Sequence, residues 1–192
     1  MVTVSTLNEP ARAYHHGDLR AALVDAGLAA LQDAAIEDLS LRQLAREVGV
    51  SATAVYRHFP DKRALLSALA DHGVELLAQA QQAAAQAAPP EDRFAATGRA
   101  YVRFALANPA LFRLIFAYTC ASGETVFGNS LAARMLQGHA AERGQSPDDT
   151  RRLIVQAWAV VHGLAMLMLD GQLPADDALI DTAINSRTLF GG

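Results

Sequence analysis

The segment between Leu39 and Phe59 constrains the fold of this chain more than any other segment. Apolar residues recur at i, i+3, i+4 and i+7 from Leu41, which is the spacing of one face of an α-helix. Gly49 comes next, and glycine readily takes the left-handed conformation that ends a helix. Ser51 can then cap a second short helix. Two short helices joined by a turn that contains glycine are typical of a helix-turn-helix, so this segment predicts that motif.

The rest of the chain is also predicted to be helical. Hydrophobic residues make up 52% of the 192 residues, and much of this fraction is alanine. Runs of the β-branched and aromatic residues that favour strands are nearly absent, so we predict an all-α fold with about nine helices. Proline and glycine residues separate the helical segments. Their approximate ranges are 18–33, 41–48, 52–58, 62–88, 91–107, 109–121, 125–143, 147–169 and 176–189.

Charge divides the chain into two parts. The formal net charge is −4, but the stretch from Leu39 to Arg63 holds five basic residues against two acidic ones. A basic head on an acidic body is consistent with DNA binding. We predict a head of residues 1–61, which contains an N-terminal arm and three helices, and a larger helical body of residues 62–192. The helix predicted at about 62–88 connects the two parts.

The second helix of the predicted motif would turn its outward side to DNA. The major groove admits a helix of this width, and Thr53 and Arg57 can reach base edges there. Contacts to phosphates would set the register of the protein on the duplex. The alternative is an ordinary helical hairpin within a bundle. The candidate groove-facing residues are Ala52, Thr53, Tyr56 and Arg57, and the candidate phosphate contacts are Arg42, Ser51, His58 and Lys62.

Two residues before the first predicted helix are further candidates for phosphate contacts. Tyr14 and His16 could follow the DNA backbone from that side, or they could form a structured start of the first helix with a ring packed on the head. His15 and His16 are adjacent, but no third residue nearby has the spacing of a metal ligand. We therefore predict no metal site and no cofactor.

Several short motifs stand in order between Tyr14 and Gly73: YHHGDLR at 14–20, LRQLA at 41–45, VGVS at 48–51, AVYRHF at 54–59 and KRALL at 62–66. Together they resemble the tetracycline-repressor (TetR) family of regulators. The resemblance implies an all-helical homodimer whose first three helices bind DNA and whose fourth helix leads to a ligand-responsive body. It places the DNA contacts on Arg42, Ala52, Thr53, Tyr56, Arg57, His58 and Lys62.

The second half of the chain resembles a subgroup of TetR C-terminal domains that is named for a Trp, a His and a Gly. The motifs are YVRFA at 101–105, NP at 108–109, LFRLIF at 111–116 and WAVVHGLA at 158–165. This resemblance implies the type of body and leaves its ligand open.

Aromatic and methionine side chains of the body could surround an elongated apolar cavity for a small apolar or aromatic effector. The alternative for each of them is ordinary core packing. The candidate ligand-binding residues are Phe104, Phe112, Phe116, Met135, Trp158, His162 and Met166. The polar groups that could orient a ligand are Arg103, Arg113, Tyr118 and His162.

The last two predicted helices are the candidate dimer interface. Small residues at 157, 159, 163 and 165 allow another helix to approach closely, and the resemblance implies a dimer through the final helix pair. A two-fold dimer would place its two heads about one DNA turn apart, so its operator should be near-palindromic.

These observations predict a ligand-controlled transcriptional repressor that binds double-stranded DNA as a homodimer. The alternatives are an activator of the same fold and a helical small-molecule-binding module without DNA binding. An enzyme is not expected, because no Ser/His/Asp set, phosphate-binding glycine loop or metal-ligand spacing stands in a motif context.

The expected location is the cytoplasm, without a membrane partner. The N-terminus lacks the pattern of a secretory signal, and one cysteine excludes an internal disulfide framework. No stretch of about 18 or more residues is both apolar and uncharged. The longest candidate, Leu153–Leu169, is interpreted as a buried helix.

Overall fold

The structure, a computed structural model, describes residues 19–119 and 130–185. Every regular element in these residues is helical, which confirms the all-α prediction. Two short 3-10 turns lie at Ile36–Asp38 and Pro90–Asp92. The nine α-helices of the described residues are α1 (Leu19–Asp33), α2 (Leu41–Val48), α3 (Ala52–His58), α4 (Lys62–Ala87), α5 (Arg93–Ala107), α6 (Pro109–Thr119), α7 (Leu131–Glu142), α8 (Pro147–Leu169) and α9 (Asp177–Ala183).

Two predicted helix boundaries are wrong. α7 begins at Leu131 instead of near 125, because Ser130 is extended and its Oγ accepts a backbone hydrogen bond at 3.1 Å that caps the helix. α9 ends at Ala183 instead of near 189, because Ile184 leaves the helical conformation and is fully buried against the body. Residues 120–129, and residue 18 at the start of the first predicted helix, lie outside the described residues.

The helices α1, α2 and α3 form the head around a small apolar core. Leu44 and Val55 are almost completely buried, and Ala45 is small enough to be buried at the same contact, so α3 crosses close to α2. Gly49 has a φ of 77°, and the N–H of Val50 donates to the carbonyl of Ala45 at 2.9 Å. This left-handed turn ends α2 as the sequence predicts, and the helix-turn-helix is present.

The helix α4 connects the head to the body through 26 residues. Asp61 caps its start by accepting a backbone hydrogen bond at 2.8 Å. Gly27 of α1 lies against Leu69 of α4, and a Cβ at Gly73 of α4 would come within 2.9 Å of side chains in α6. Glycine at these two positions therefore lets α4 contact both the head and the body closely.

The helix α5 lies at the centre of the body, in contact with α4, α6 and α8. α9 is held against it by Arg103, which donates to Asp177 at 2.7 Å and to Asp181 at 2.9 Å. Ile184 fills the space beside Gly98, where an added Cβ would lie 2.9 Å from it. Most buried side chains of the body form one continuous core with those of the head, and Ala132 and Ala133 of α7 form a separate small cluster.

The helix α8 is long and apolar, but only one of its faces is buried. Leu164 and Met168 belong to the buried face, whereas Val155, Val160 and Leu167 expose 52%, 43% and 46% of their surface. The length and composition of α8 would allow it to cross a membrane, and 22% of its most apolar 18-residue stretch is buried within the chain. The interpretation of 153–169 as a buried helix therefore holds for one face of α8 and is wrong for the other.

Candidate functional site

The helix α3 has the exposed outward face that the sequence predicts. Ser51 caps α3 by accepting a backbone hydrogen bond at 3.2 Å, and Val55 points into the head. On the other side Thr53, Tyr56 and Arg57 are exposed. A rigid helix with polar and aromatic side chains on one exposed face can enter a DNA major groove.

Other candidate DNA contacts lie at the ends of the same two helices. Arg42 in the first turn of α2 and His58 at the end of α3 are exposed, while Ala52 is half-buried. Ser40 precedes α2 but makes no side-chain hydrogen bond to its first turn. The backbone N–H groups at that helix start are therefore not capped by Ser40, and such groups favour a phosphate.

Lys62 at the start of α4 has a partner within the protein. Its ammonium group donates a hydrogen bond to the carbonyl of Glu37 at 2.6 Å, which joins α4 to the 3-10 turn between α1 and α2. An ammonium group has three N–H donors, so this bond leaves donors for a phosphate. The sequence offered no signal for the Glu37 contact, because the two residues are 25 positions apart.

Tyr14, His15 and His16 lie outside the described residues. Within residues 19–119 and 130–185, no three His, Cys, Asp or Glu side chains are grouped so that they could hold a metal ion.

Five aromatic side chains of the body lie together, and we call them the aromatic cluster. The rings of Phe116 and His162 are 4.6 Å apart between centroids, those of Phe112 and Phe116 are 5.0 Å apart, and those of Trp158 and His162 are 5.5 Å apart. Four of the predicted ligand-binding residues are thus neighbours. The members are Tyr101 from α5, Phe112 and Phe116 from α6, and Trp158 and His162 from α8.

Tyr101 is the member that sequence reasoning did not include among the ligand-binding candidates. Its hydroxyl lies 2.9 Å from Nδ1 of His162 and accepts a hydrogen bond from Nε1 of Trp158 at 3.4 Å. Tyr101 is 2% exposed, whereas Trp158 and His162 are half-buried. A tyrosine within an apolar stretch was the available signal, because a buried phenol requires a hydrogen-bond partner.

Three other predicted ligand-binding residues make no ring contact with the cluster in the described part of the chain. Phe104 is buried in the core of α5, Met166 is half-buried at the edge of the same core, and Met135 is half-buried on α7. α7 reaches the cluster instead through small residues, since Ala132 and Ala133 pack near Trp158.

The two arginines that were candidates for orienting a ligand are held by aspartates. Arg103 binds the carboxylates of α9, and Arg113 donates to Asp170 at 2.6 Å. Both arginine side chains are more than 40% exposed, and the hydrogen bond with Asp177 raises the pKa of Arg103 further above its ordinary value. Both arginines thus form ion pairs at the surface of the body and not contacts with the aromatic cluster.

Burial changes the proton affinity of the two titratable groups in the cluster. It lowers the pKa of His162, which favours the neutral imidazole at pH 7. It raises the pKa of the Tyr101 phenol well above its ordinary value, and the hydrogen bond from Trp158 opposes this only in part. The polar pair within the cluster is therefore uncharged.

Asn108 connects the aromatic cluster to the head. Its side chain accepts a hydrogen bond from Gln32 of α1 at 3.0 Å and donates one to the carbonyl of Phe104 at 3.1 Å. Its own carbonyl accepts a hydrogen bond from the N–H of Phe112 at 2.8 Å. One residue thus links α1, the end of α5 and the first turn of α6, which carries two rings of the cluster.

Family models match both parts of the chain. Residues 23–69 match the model described as bacterial regulatory proteins, tetR family. Residues 94–186 match the model described as tetracyclin repressor-like, C-terminal domain. The first match covers the helix-turn-helix and the second covers the aromatic cluster.

Individual relatives agree with these matches. A helix-turn-helix-type transcriptional regulator of Mycobacterium tuberculosis is 31% identical over 191 residues, which cover 94% of this chain and 80% of the relative. The class C tetracycline repressor of Escherichia coli is 46% identical over 52 residues, 27% of this chain and 24% of that protein. A solved structure from Rhodococcus sp. RHA1 is 35% identical with a TM-score of 0.75, and the match covers 93% of this chain and 97% of that one.

Proposed function

Because this chain belongs to the TetR family of helix-turn-helix transcriptional regulators and not to an enzyme family, we propose that it is a ligand-responsive repressor. In this proposal it binds a near-palindromic operator as a homodimer. The observation that carries the proposal is the exposed face of α3, held rigidly by the helix-turn-helix. The Trp-His-Gly subgroup of the body stays a prediction.

The head supports this proposal through the chemistry of its exposed residues. Arg57 can donate two hydrogen bonds to a guanine, and Thr53 can contact a thymine methyl group or a base edge. Arg42, Ser51, His58 and Lys62 would hold phosphates on either side and fix the register of α3. Tyr14 and His16 would extend this contact along the backbone.

The exposed face of α8 supports the homodimer. Val155, Val160 and Leu167 lie on this face, and a soluble monomer rarely exposes such an apolar strip without a partner. Gly163 lies between them along the helix with no atom near the place of a Cβ, so another backbone can approach there. Two copies of α8, each with its α9, would bury these faces against each other around a two-fold axis.

The aromatic cluster supports the response to a ligand. A ligand among these rings would press on α6, and Asn108 at the start of α6 is bonded to Gln32 of the head. Movement of α6 would therefore change the position of α1 and the separation of the two heads. A ligand can do this only if it binds the two arrangements with different affinities. Coupling in such systems changes affinity by roughly 5- to 150-fold.

The proposed site of action is the cytoplasm, where the protein would meet DNA and a small effector. The proposed effector is small and apolar or aromatic, because the residues that would surround it are Phe112, Phe116 and Trp158. The relative from Escherichia coli is named a tetracycline repressor, which supports both repression and a small-molecule signal for this chain.

Selection of bound DNA from a random pool with the purified protein tests the proposal. We expect enrichment of a near-palindromic site, and a pool without such a site would refute operator binding. A reporter gene with the selected site at its promoter then tests the direction of control. Expression should fall when the protein is present, and a rise would identify an activator instead.

A further inference from the structure

The hydrogen bonds of the aromatic cluster determine which proton His162 carries. The Tyr101 hydroxyl already accepts from Nε1–H of Trp158, and its own proton needs an acceptor. Nδ1 of His162 is 2.9 Å away and is the acceptor for that proton. Because burial keeps the imidazole neutral, its one proton lies on Nε2.

Nε2–H of His162 is a donor with no hydrogen-bond partner among the described residues. The ring that carries it is half-buried and lies beside the rings of Phe116 and Trp158, which are also half-buried. Because none of the described residues has a buried side-chain nitrogen or oxygen without a partner, this donor is accessible to solvent at the edge of the aromatic cluster. A ligand that fits here must supply an acceptor, because a second donor would leave Nε2–H unsatisfied.

The groups that the sequence offered for orienting a ligand do not favour an anion at the cluster. Arg103 and Arg113 are bound by aspartates at the surface of the body, so neither contributes an unpaired positive charge. The imidazole of His162 is neutral and the phenol of Tyr101 keeps its proton. A carboxylate placed among these rings would lose its hydration without gaining a cation.

We infer that the effector is an uncharged aromatic compound that carries a hydrogen-bond acceptor such as a carbonyl, and that Nε2–H of His162 donates to this acceptor. Tyr101 is a positioning residue in this site, because its hydroxyl holds the imidazole in the required tautomer. The inference rests on the proposed function of the body as the ligand-binding domain. It adds the chemical class of the ligand and the residue that selects it.

Three compounds of nearly equal size test this selection. They are 2-acetylnaphthalene, which has a neutral acceptor, 2-ethylnaphthalene, which has none, and 2-naphthoate, which is an anion. Calorimetric titration of the full chain gives their Kd values. Trp158 is the one tryptophan of the chain, so changes in its fluorescence report binding at the cluster itself.

We expect the ketone to bind about 5- to 10-fold more tightly than the ethyl compound, which is the range of one hydrogen bond. We expect 2-naphthoate to bind at least about tenfold more weakly than the ketone, because its charge is buried without a partner. Equal affinities for the ketone and the ethyl compound, tighter binding of the anion, or no binding of any of the three would overturn the inference.

Substitutions at His162 separate the donor from the shape of the ring. His162→Asn cannot present a donor at the position of Nε2. The ketone and the ethyl compound should therefore bind to this variant with about equal affinity. His162→Gln places an amide N–H near that position and should restore part of the preference. His72→Asn makes the same substitution on α4, where the imidazole lies 3.3 Å from Glu75, and should leave the preference as in the wild type. An unchanged preference in His162→Asn would show that another group donates.

Operator binding without any ligand separates this inference from the proposed function. If the protein binds its operator but none of the ligand preferences is seen, the assignment of the effector class is wrong and the DNA-binding role stands. If no operator is bound while the ketone is preferred, the repressor proposal fails and the ligand site stands.

Discussion

At the scale of single residues, the proposed DNA interface offers few side chains for reading a base sequence. Ala52 and Ala54 on α3 have only methyl groups, so in the proposed complex hydrogen bonds to bases would depend on Thr53, Tyr56 and Arg57. Arg57 is exposed near the end of α3, so its guanidinium group would be able to point into the groove in the proposed complex. A guanidinium group also binds a guanine more selectively than an ammonium group does, because it donates two parallel hydrogen bonds.

Arg57→Ala is expected to weaken operator binding by about 5- to 150-fold, which corresponds to about 1–3 kcal/mol for one lost base contact. It should also relax the preference for one base pair in each half-site. Binding by fluorescence anisotropy to the selected operator and to its single-base variants measures both effects. Arg93→Ala, at an exposed arginine of the body, is the control and should bind like the wild type. Equal losses on every operator variant would mean that Arg57 contacts phosphate.

His162 is expected to make stability depend on pH. Burial lowers its pKa, so below about pH 6.5 the unfolded chain binds more protons than the folded chain does. The free energy of unfolding therefore falls as the pH drops through that region. His162→Asn removes the titrating group and should give a flatter pH dependence. Urea unfolding of both proteins across the same pH range measures the slopes, and parallel curves would contradict the assignment.

At the scale of elements, close helix contacts connect the head to the body. α4 lies against α6 at Gly73, where an added Cβ would come within 2.9 Å of side chains of Leu111 and Ile115. These two side chains are fully buried or nearly so, which limits how far they can move. The α4–α6 contact is therefore tightly packed along the path from the aromatic cluster to the head.

Gly73→Ala is expected to lower the free energy of unfolding by about 1–3 kcal/mol, because the new methyl group overpacks the α4–α6 contact. Gly138→Ala on α7 is the matched control, since no atom lies within 4 Å of its Cβ position. That substitution should stabilise the protein by up to about 1 kcal/mol through helix propensity. Urea unfolding measures both values. A Gly73→Ala protein as stable as the wild type would show that α6 yields easily.

Val160→Glu is expected to produce a monomer. Val160 lies on the exposed face of α8, so a carboxylate is tolerated by the single chain but becomes buried beside its own copy in the proposed dimer. Sedimentation at micromolar concentration measures the mass. Gln137→Glu, which adds the same charge at an exposed site on α7, should stay dimeric. A dimeric Val160→Glu protein would place the interface elsewhere.

At the scale of the whole molecule, the distance between two heads would determine which DNA is bound. A dimer that presents two copies of α3 about 34–36 Å apart matches successive major grooves on one side of the duplex. A ligand that changes this distance reduces the number of half-sites bound at once. The ligand would then lower the affinity for the operator, and the operator would lower the affinity for the ligand by the same factor, since coupling between two sites is reciprocal.

Insertion of about five base pairs between the half-sites is expected to abolish tight binding, because it rotates one half-site by about half a turn of the duplex. Insertion of a full turn of about ten base pairs keeps the two half-sites on one side but moves them apart, so it tests how far the heads can separate. Anisotropy with the three operators measures these affinities. Equal binding to the original and the half-turn operator would mean that each head binds alone.

The amino-acid sequence determined the helix-turn-helix, the outward face of α3 and the helical class of the body. The signals for these features act within a few residues: a glycine that ends α2, a serine that caps α3, and apolar residues spaced to one helix face. Four of the seven predicted ligand-binding residues also lie together, because their aromatic side chains belong on the buried faces of α6 and α8.

Only the tertiary structure decided which polar side chains form hydrogen bonds or ion pairs within the chain, and with which partners. The pairs Tyr101–His162, Lys62–Glu37 and Arg113–Asp170 join residues 61, 25 and 57 positions apart, so no local spacing predicts them. Which face of α8 stays exposed likewise depends on how α5 and α7 pack against it. The composition of α8 alone resembles that of a fully buried helix. Local periodicity selects the helices, and packing between distant segments assigns each polar group its partner.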